Sequence, residues 1–152
     1  MKKIDVRVVT IESMNVISFL GYGENPEMIA INSFRQWIHE QNVSIKNAST
    51  KIFGFNNPCP SIGSKNYGYE IWLSIPQDMD VPKEKKIILF PGGLYAQTPI
   101  NVTTGEEIPL YWEALNHWCE NSDYTLGCHQ WLVEFTLEPR FPFAIYLPIK
   151  KE

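Results

Sequence analysis

The chain writes one short pattern twice. Ile31, Phe34, Trp37 and Ile38 recur at spacings of three and four, which puts them on one face of a helix predicted over about 27–41. Trp112, Leu115, Trp118 and Cys119 repeat that pattern 81 residues later. They mark a second helix over about 107–120, whose apolar face also takes Leu110 and Ala114 and whose first turn tolerates Pro109. Extended stretches flank each helix. Residues 5–10 and 15–20, broken by Glu12-Ser13, precede the first, and 51–55 and 67–75 follow it across a long turn at 56–66. Residues 86–98 precede the second, with Gly92-Gly93 predicting a bulge or kink, and 128–136 and 142–148 follow it. Two strand-helix-strand-strand repeats result, about 1–76 and 85–150. Units of roughly 75 residues rarely close a core alone. The expectation is therefore a single α+β domain over 1–152. It would hold two pseudo-symmetric β-α-β-β modules sharing one antiparallel sheet, with both helices on one face and a groove on the other.

Composition narrows the function by exclusion. Among 152 residues, 44% are hydrophobic and 20% charged, as in an ordinary globular protein. A net charge of −4 gives no basic footprint for nucleic acid, so direct DNA or RNA binding is not expected. The basic clusters Lys83-Glu84-Lys85-Lys86 and Lys150-Lys151 read as solvated loop and tail charges. The N-terminus lacks the apolar run of a signal peptide, and no segment approaches the ~18 apolar residues of a membrane span. Three widely spaced cysteines, Cys59, Cys119 and Cys128, have no zinc-site pattern and fit a reduced cytoplasm. In that setting the sequons beginning at Asn42, Asn47 and Asn101 carry no meaning.

Glu134 is an acid inside the apolar run Trp131-Leu132-Val133-Glu134-Phe135. Buried and unpaired it would cost several kcal/mol. Side chains alternate across a sheet, so Glu134 shares a face with Leu132, Gln130 and Cys128, while the more apolar set His129, Trp131, Val133 and Phe135 is expected under the helices. Alternation in 67–75 sets Glu70 and Trp72 against Tyr67, Tyr69, Ile71 and Leu73. In 142–148 it sets Ala144 and Tyr146 against Ile145 and Leu147. Glu134, Glu70, Trp72 and Tyr146 thus collect on the face away from the helices, joined by Tyr95 if small Ala96 sits beneath a helix. Acids framed by aromatic rings form a recipe for an organic cation, each ring face adding ~0.5–2 kcal/mol to a desolvated ligand. Spacing alone leaves this open beside a wet sheet face on which the acids are simply solvated.

Three further stretches are distinctive: Phe53-Gly54-Phe55-Asn56-Asn57-Pro58, Tyr67-Gly68-Tyr69-Glu70-Ile71-Trp72 and Pro91-Gly92-Gly93-Leu94-Tyr95-Ala96. With Val133-Glu134-Phe135 and Ala144-Ile145-Tyr146-Leu147-Pro148-Ile149 in that order, the chain resembles the GyrI-like small-molecule-binding domain, also called the AraC-type effector-binding domain. The resemblance implies two pseudo-symmetric modules with a ligand groove. It implies an acid on the penultimate strand, here Glu134, beneath an aromatic pocket to which Tyr146 contributes, with Tyr69, Trp72 and Tyr95 in the stretches that line it. Members include effector domains of drug-responsive regulators, a gyrase-inhibitory protein and hydrolases of strained electrophiles. The chain leaves no room for a helix-turn-helix, so the expectation is a stand-alone module.

Three classes of function follow. The first is a module binding a flat, amphiphilic, cationic molecule through Glu134, Tyr69, Glu70, Trp72, Tyr95 and Tyr146. The second is a hydrolase using Glu134 or Glu70 as general base, with a tyrosine such as Tyr95 or Tyr146 positioning water or donating a proton. The third is a protein acting on a protein partner. No cofactor is implied: phosphate loop, dinucleotide fingerprint and nucleophile elbow are all missing. His117, Cys119, Cys128 and His129 lie close in sequence, but packing and loop roles explain them without a metal.

Overall fold

A computed structural model describes residues 1–41, 50–76, 81–83, 85–102, 104–136 and 142–151. The sequons at 42–44 and 47–49, Thr103 of the third and Glu84 of the basic cluster lie outside the described residues. In chain order the elements are β1 (Arg7–Ile11), β2 (Met14–Gly23), α1 (Pro26–Gln41), β3 (Ile52–Asn56), β4 (Tyr67–Ile75), β5 (Ile87–Phe90), β6 (Gly93–Pro99), α2 (Ile108–Glu120), β7 (Tyr124–Leu126), β8 (Leu132–Phe135) and β9 (Pro142–Lys151). The fold is α+β, and every strand pair described is antiparallel.

Two compact units emerge. One comprises Met14–Phe90 and the other Met1–Ser13 with Pro91–Glu152. In the first, the strands run β3-β4-β2-β5 and α1 packs on β2 and β4. Phe19 of β2 meets Phe34 and Trp37 of α1 edge-on, at 5.3 and 5.7 Å between ring centroids. The 3.6-residue pattern of the helix and the two-residue pattern of the strand thus meet in one core. Gly21 lets the helix approach closely, since a Cβ there would run into Pro26 and Ala30. Lys85 stands over the Phe19 ring, 4.5 Å from its centroid. Lys83 and Lys86 of the same basic cluster are exposed, and half-buried Lys85 adds a cation–π contact to its solvation.

The second unit repeats the layout as β8-β9-β6-β1, with α2 over a core of Ala96, Ile145, Leu147, Ile149, Tyr111 and Leu115. Ala96 does lie beneath the helix. Gly92, at φ +74°, has no room for a side chain against the carbonyl end of β1. The kink expected at Gly92-Gly93 is thus where β5 ends and β6 begins, and these two strands pair in different units. The strand expected over 128–136 shrinks to β8, and the unexpected β7 pairs with the end of β9. Residues 128–131 leave the ladder because other partners claim them. Gln130 gives its carbonyl to the Tyr95 hydroxyl at 2.7 Å, and Trp131 turns its ring onto Trp112 of α2, 5.2 Å between centroids.

Candidate functional site

Among the described residues, each unit buries one carboxylate on the sheet face away from its helix. Glu134 of β8 is 6% exposed and Glu70 of β4 is 8% exposed. Neither is left unpaired, as the cost of burying a bare charge requires.

Glu134 belongs to a chain of hydrogen bonds across three neighbouring strands. Leu132 pairs with Tyr146, and Gln97 of β6 pairs with Tyr146 from the other side, so these side chains share one face with Glu134. The Tyr146 hydroxyl donates to Glu134 Oε1, and Gln97 Nε2 donates to the Tyr146 oxygen at 2.9 Å. Burial first, and then the hydrogen bond and the charge of Glu134, push the Tyr146 phenol well above its ordinary range. Tyr95 stands edge-on to Tyr146, with 6.0 Å between centroids. Its own hydroxyl goes to Gln130, and burial raises its pKa strongly. Tyr95 is fully buried, so it backs Tyr146 rather than offering a surface to a ligand in this conformation. Of the two tyrosines named for the hydrolase reading, Tyr146 is the one whose hydroxyl donates to Glu134.

Glu70 is knitted into its unit by neutral donors. Ser18 Oγ donates to Oε2 at 2.7 Å, Trp72 Nε1 to Oε2 at 2.5 Å, and Asn57 Nδ2 to Oε1 at 2.9 Å. Asn57 is delivered by the 56–66 turn, which is clamped to Gly68 by Asn57 N–H to Gly68 O at 2.8 Å and Gly68 N–H to Pro58 O at 2.9 Å. A Cβ at position 68 would collide with the Asn57 carbonyl, so the clamp requires glycine. Trp72 packs against Phe55 at 4.7 Å and Phe90 at 5.2 Å.

Tyr69 is placed elsewhere. It pairs with Gly21 and Asn56, on the helix side of β4 with Ile71 and Leu73, and so faces away from Glu70 and Trp72. Alternation in 67–75 predicts this placement, and only the resemblance puts Tyr69 in a stretch that lines the groove. His129 also departs from expectation: its ring lies beside Tyr95 at 6.2 Å rather than under α2, because residue 129 is not in a strand and alternation does not apply. Cys119 is buried in the α2 core while Cys128 is exposed. Among the described residues no group of three or more His, Cys, Asp or Glu side chains is placed to hold a metal. No helix among them is long and apolar enough to cross a membrane. Sequence reasoning missed Gln97, Ser18 and Asn57, and the cross-strand register needed to find Gln97 and Ser18 is not written locally.

With this layout established, the class is clear: an effector-binding fold of the GyrI-like kind. The chain belongs to the family of integron-associated effector-binding proteins, Cass2, whose pattern it matches over residues 7–149. Among curated proteins none matches it by sequence. Solved structures share the fold at low identity. The EcmrR–DNA complex superposes with a TM-score of 0.75 at 11% identity, covering 98% of this chain. The chain spans 58% of that EcmrR chain. The matched part is its C-terminal domain, of which 99% is covered at a TM-score of 0.74 and 12% identity. A hydrolase from Listeria innocua gives 0.65 at 12% identity, covering 99% of this chain and 94% of the other. SAV2435 bound to tetraphenylphosphonium gives 0.60 at 14% identity, with 96% and 94% covered. The family matched is one of effector-binding proteins.

Proposed function

We propose that this chain binds a small lipophilic organic cation, with Glu134 as the charge that selects it. The observation that carries this reading is the burial of Glu134 at 6% exposure on a strand face it shares with Leu132 and Tyr146. A carboxylate held there by a phenol gains Coulomb energy from an incoming cation that it could not gain in water. Tyr146 adds a ring, and Tyr95 behind it fixes that ring's orientation. SAV2435, of the same fold, carries tetraphenylphosphonium, a cation of the kind this arrangement suits. Glu70 is better read as structural, since donors from three segments of its own unit occupy both its oxygens. A sensor or a sequestering protein follows from such a site.

Calorimetric titration with tetraphenylphosphonium tests the reading. Wild type is expected to bind, and Glu134→Gln to bind at least about tenfold more weakly, roughly 1.4 kcal/mol. Equal affinity in the two would remove the charge from the account. Turnover of a strained electrophile, lost with Glu134→Gln, would instead select the hydrolase.

A further inference from the structure

We propose that Gln97 is a positioning residue of the Glu134 site, fixing the direction in which the Tyr146 hydroxyl points its proton. The inference rests on the cation-binding reading for its purpose, though not for its geometry. A phenol has one proton to give. An ionised carboxylate only accepts, so the Tyr146 proton goes to Glu134 and the phenol oxygen is left to accept. Gln97 must then present its NH2 edge, and Nε2 lies 2.9 Å from that oxygen. The chain thus has a polarity, from amide to phenol to carboxylate, in which each donor strengthens the next. An amide oxygen turned toward Tyr146 would compete with Glu134 for the single proton.

The other unit supports this independently. Gln97 pairs with Tyr146 as Ser18 pairs with Trp72, so the two occupy equivalent places in the two units. Ser18 also gives a proton to its unit's acid network, directly to Glu70. The position serves both acids as a source of a donor, once directly and once through a phenol. Gln97 is half-buried, and its change to an apolar side chain of similar length leaves the sheet core untouched.

The test uses Gln97→Met, Tyr146→Phe and the double variant, with two readouts. Proton NMR of wild type is expected to show a downfield hydroxyl resonance that disappears in Tyr146→Phe. In Gln97→Met it should move upfield, since the phenol becomes a weaker donor. Affinity for tetraphenylphosphonium should fall several-fold in each single variant, with no further loss in the double, because Gln97 acts only through the hydroxyl. A resonance unmoved in Gln97→Met, or missing from wild type, overturns the proposal, as do losses that multiply in the double variant. Failure of wild type to bind the cation sinks the functional reading alone; the NMR comparison still decides the role of Gln97.

Discussion

The two units share a strand order but seat their acids on different strands. By register, Trp72 occupies in one unit the place of Tyr146 in the other, and Ser18 the place of Gln97. Phe55 stands where Glu134 does, and Ala144 where Glu70 does. One acid lies on the same strand as its aromatic neighbour, two residues away, and the other lies on the next strand. That displacement changes what each holds. Glu70 ties β2, β4 and the 56–66 turn together, so its loss unfastens an excursion of the chain. Glu134 joins a chain that runs through β8, β9 and β6, which the sheet ladder already holds in register. The proposed function assigns Glu70 to architecture and Glu134 to a ligand.

The largest effect that can break this comparison is expected at Glu70. Glu70→Ala should lower unfolding stability by about 3 kcal/mol, because the buried Trp72 indole N–H and the Ser18 hydroxyl lose their acceptor. Urea denaturation measures it, and a loss equal to that of Glu134→Gln would erase the distinction between the acids. Gly68→Ala should cost about 2 kcal/mol by forcing the Asn57–Pro58 turn away from β4. Its effect should overlap that of Asn57→Ala in a double-mutant cycle. Tyr146→Phe should cost only about 1 kcal/mol of stability, since the ring and the sheet pairing survive.

The smallest effect is a pH dependence. Tyr95 and Tyr146 hold their protons well above the ordinary range, and Tyr67 is pushed up to about 12 by burial and by its 2.5 Å hydrogen bond to Glu27. With folded-state pKa values raised, the native chain keeps protons that the unfolded chain releases near pH ~10. Stability should therefore be intact below that pH and fall as pH rises through it. Tyrosinate absorbance should show Tyr67, Tyr95 and Tyr146 ionising late. Ionisation of these three near pH ~10, before unfolding, would contradict these environments.

Much of this was legible beforehand, for a physical reason. Helix faces and strand alternation are local, so α1, α2 and Tyr67–Ile75 follow from spacing, and Ala96 marks the face that a helix covers. Pairing is not local. Nothing in Arg7–Ile11 shows that β1 joins β6 of the second half while β2 joins β4 of the first. For the same reason Gln97 was invisible as a partner of Tyr146. His129 and Trp131 imitate strand alternation, yet tertiary partners take them out of the ladder.

The division of labour between the acids is tested most directly by the rise in melting temperature that saturating tetraphenylphosphonium produces in wild type, Glu70→Gln and Glu134→Gln. A ligand that binds only the folded state must raise it. That division predicts a rise in wild type and in Glu70→Gln, though the latter starts from a lower temperature, and a much smaller one in Glu134→Gln. A rise that persists in Glu134→Gln and vanishes in Glu70→Gln would contradict it.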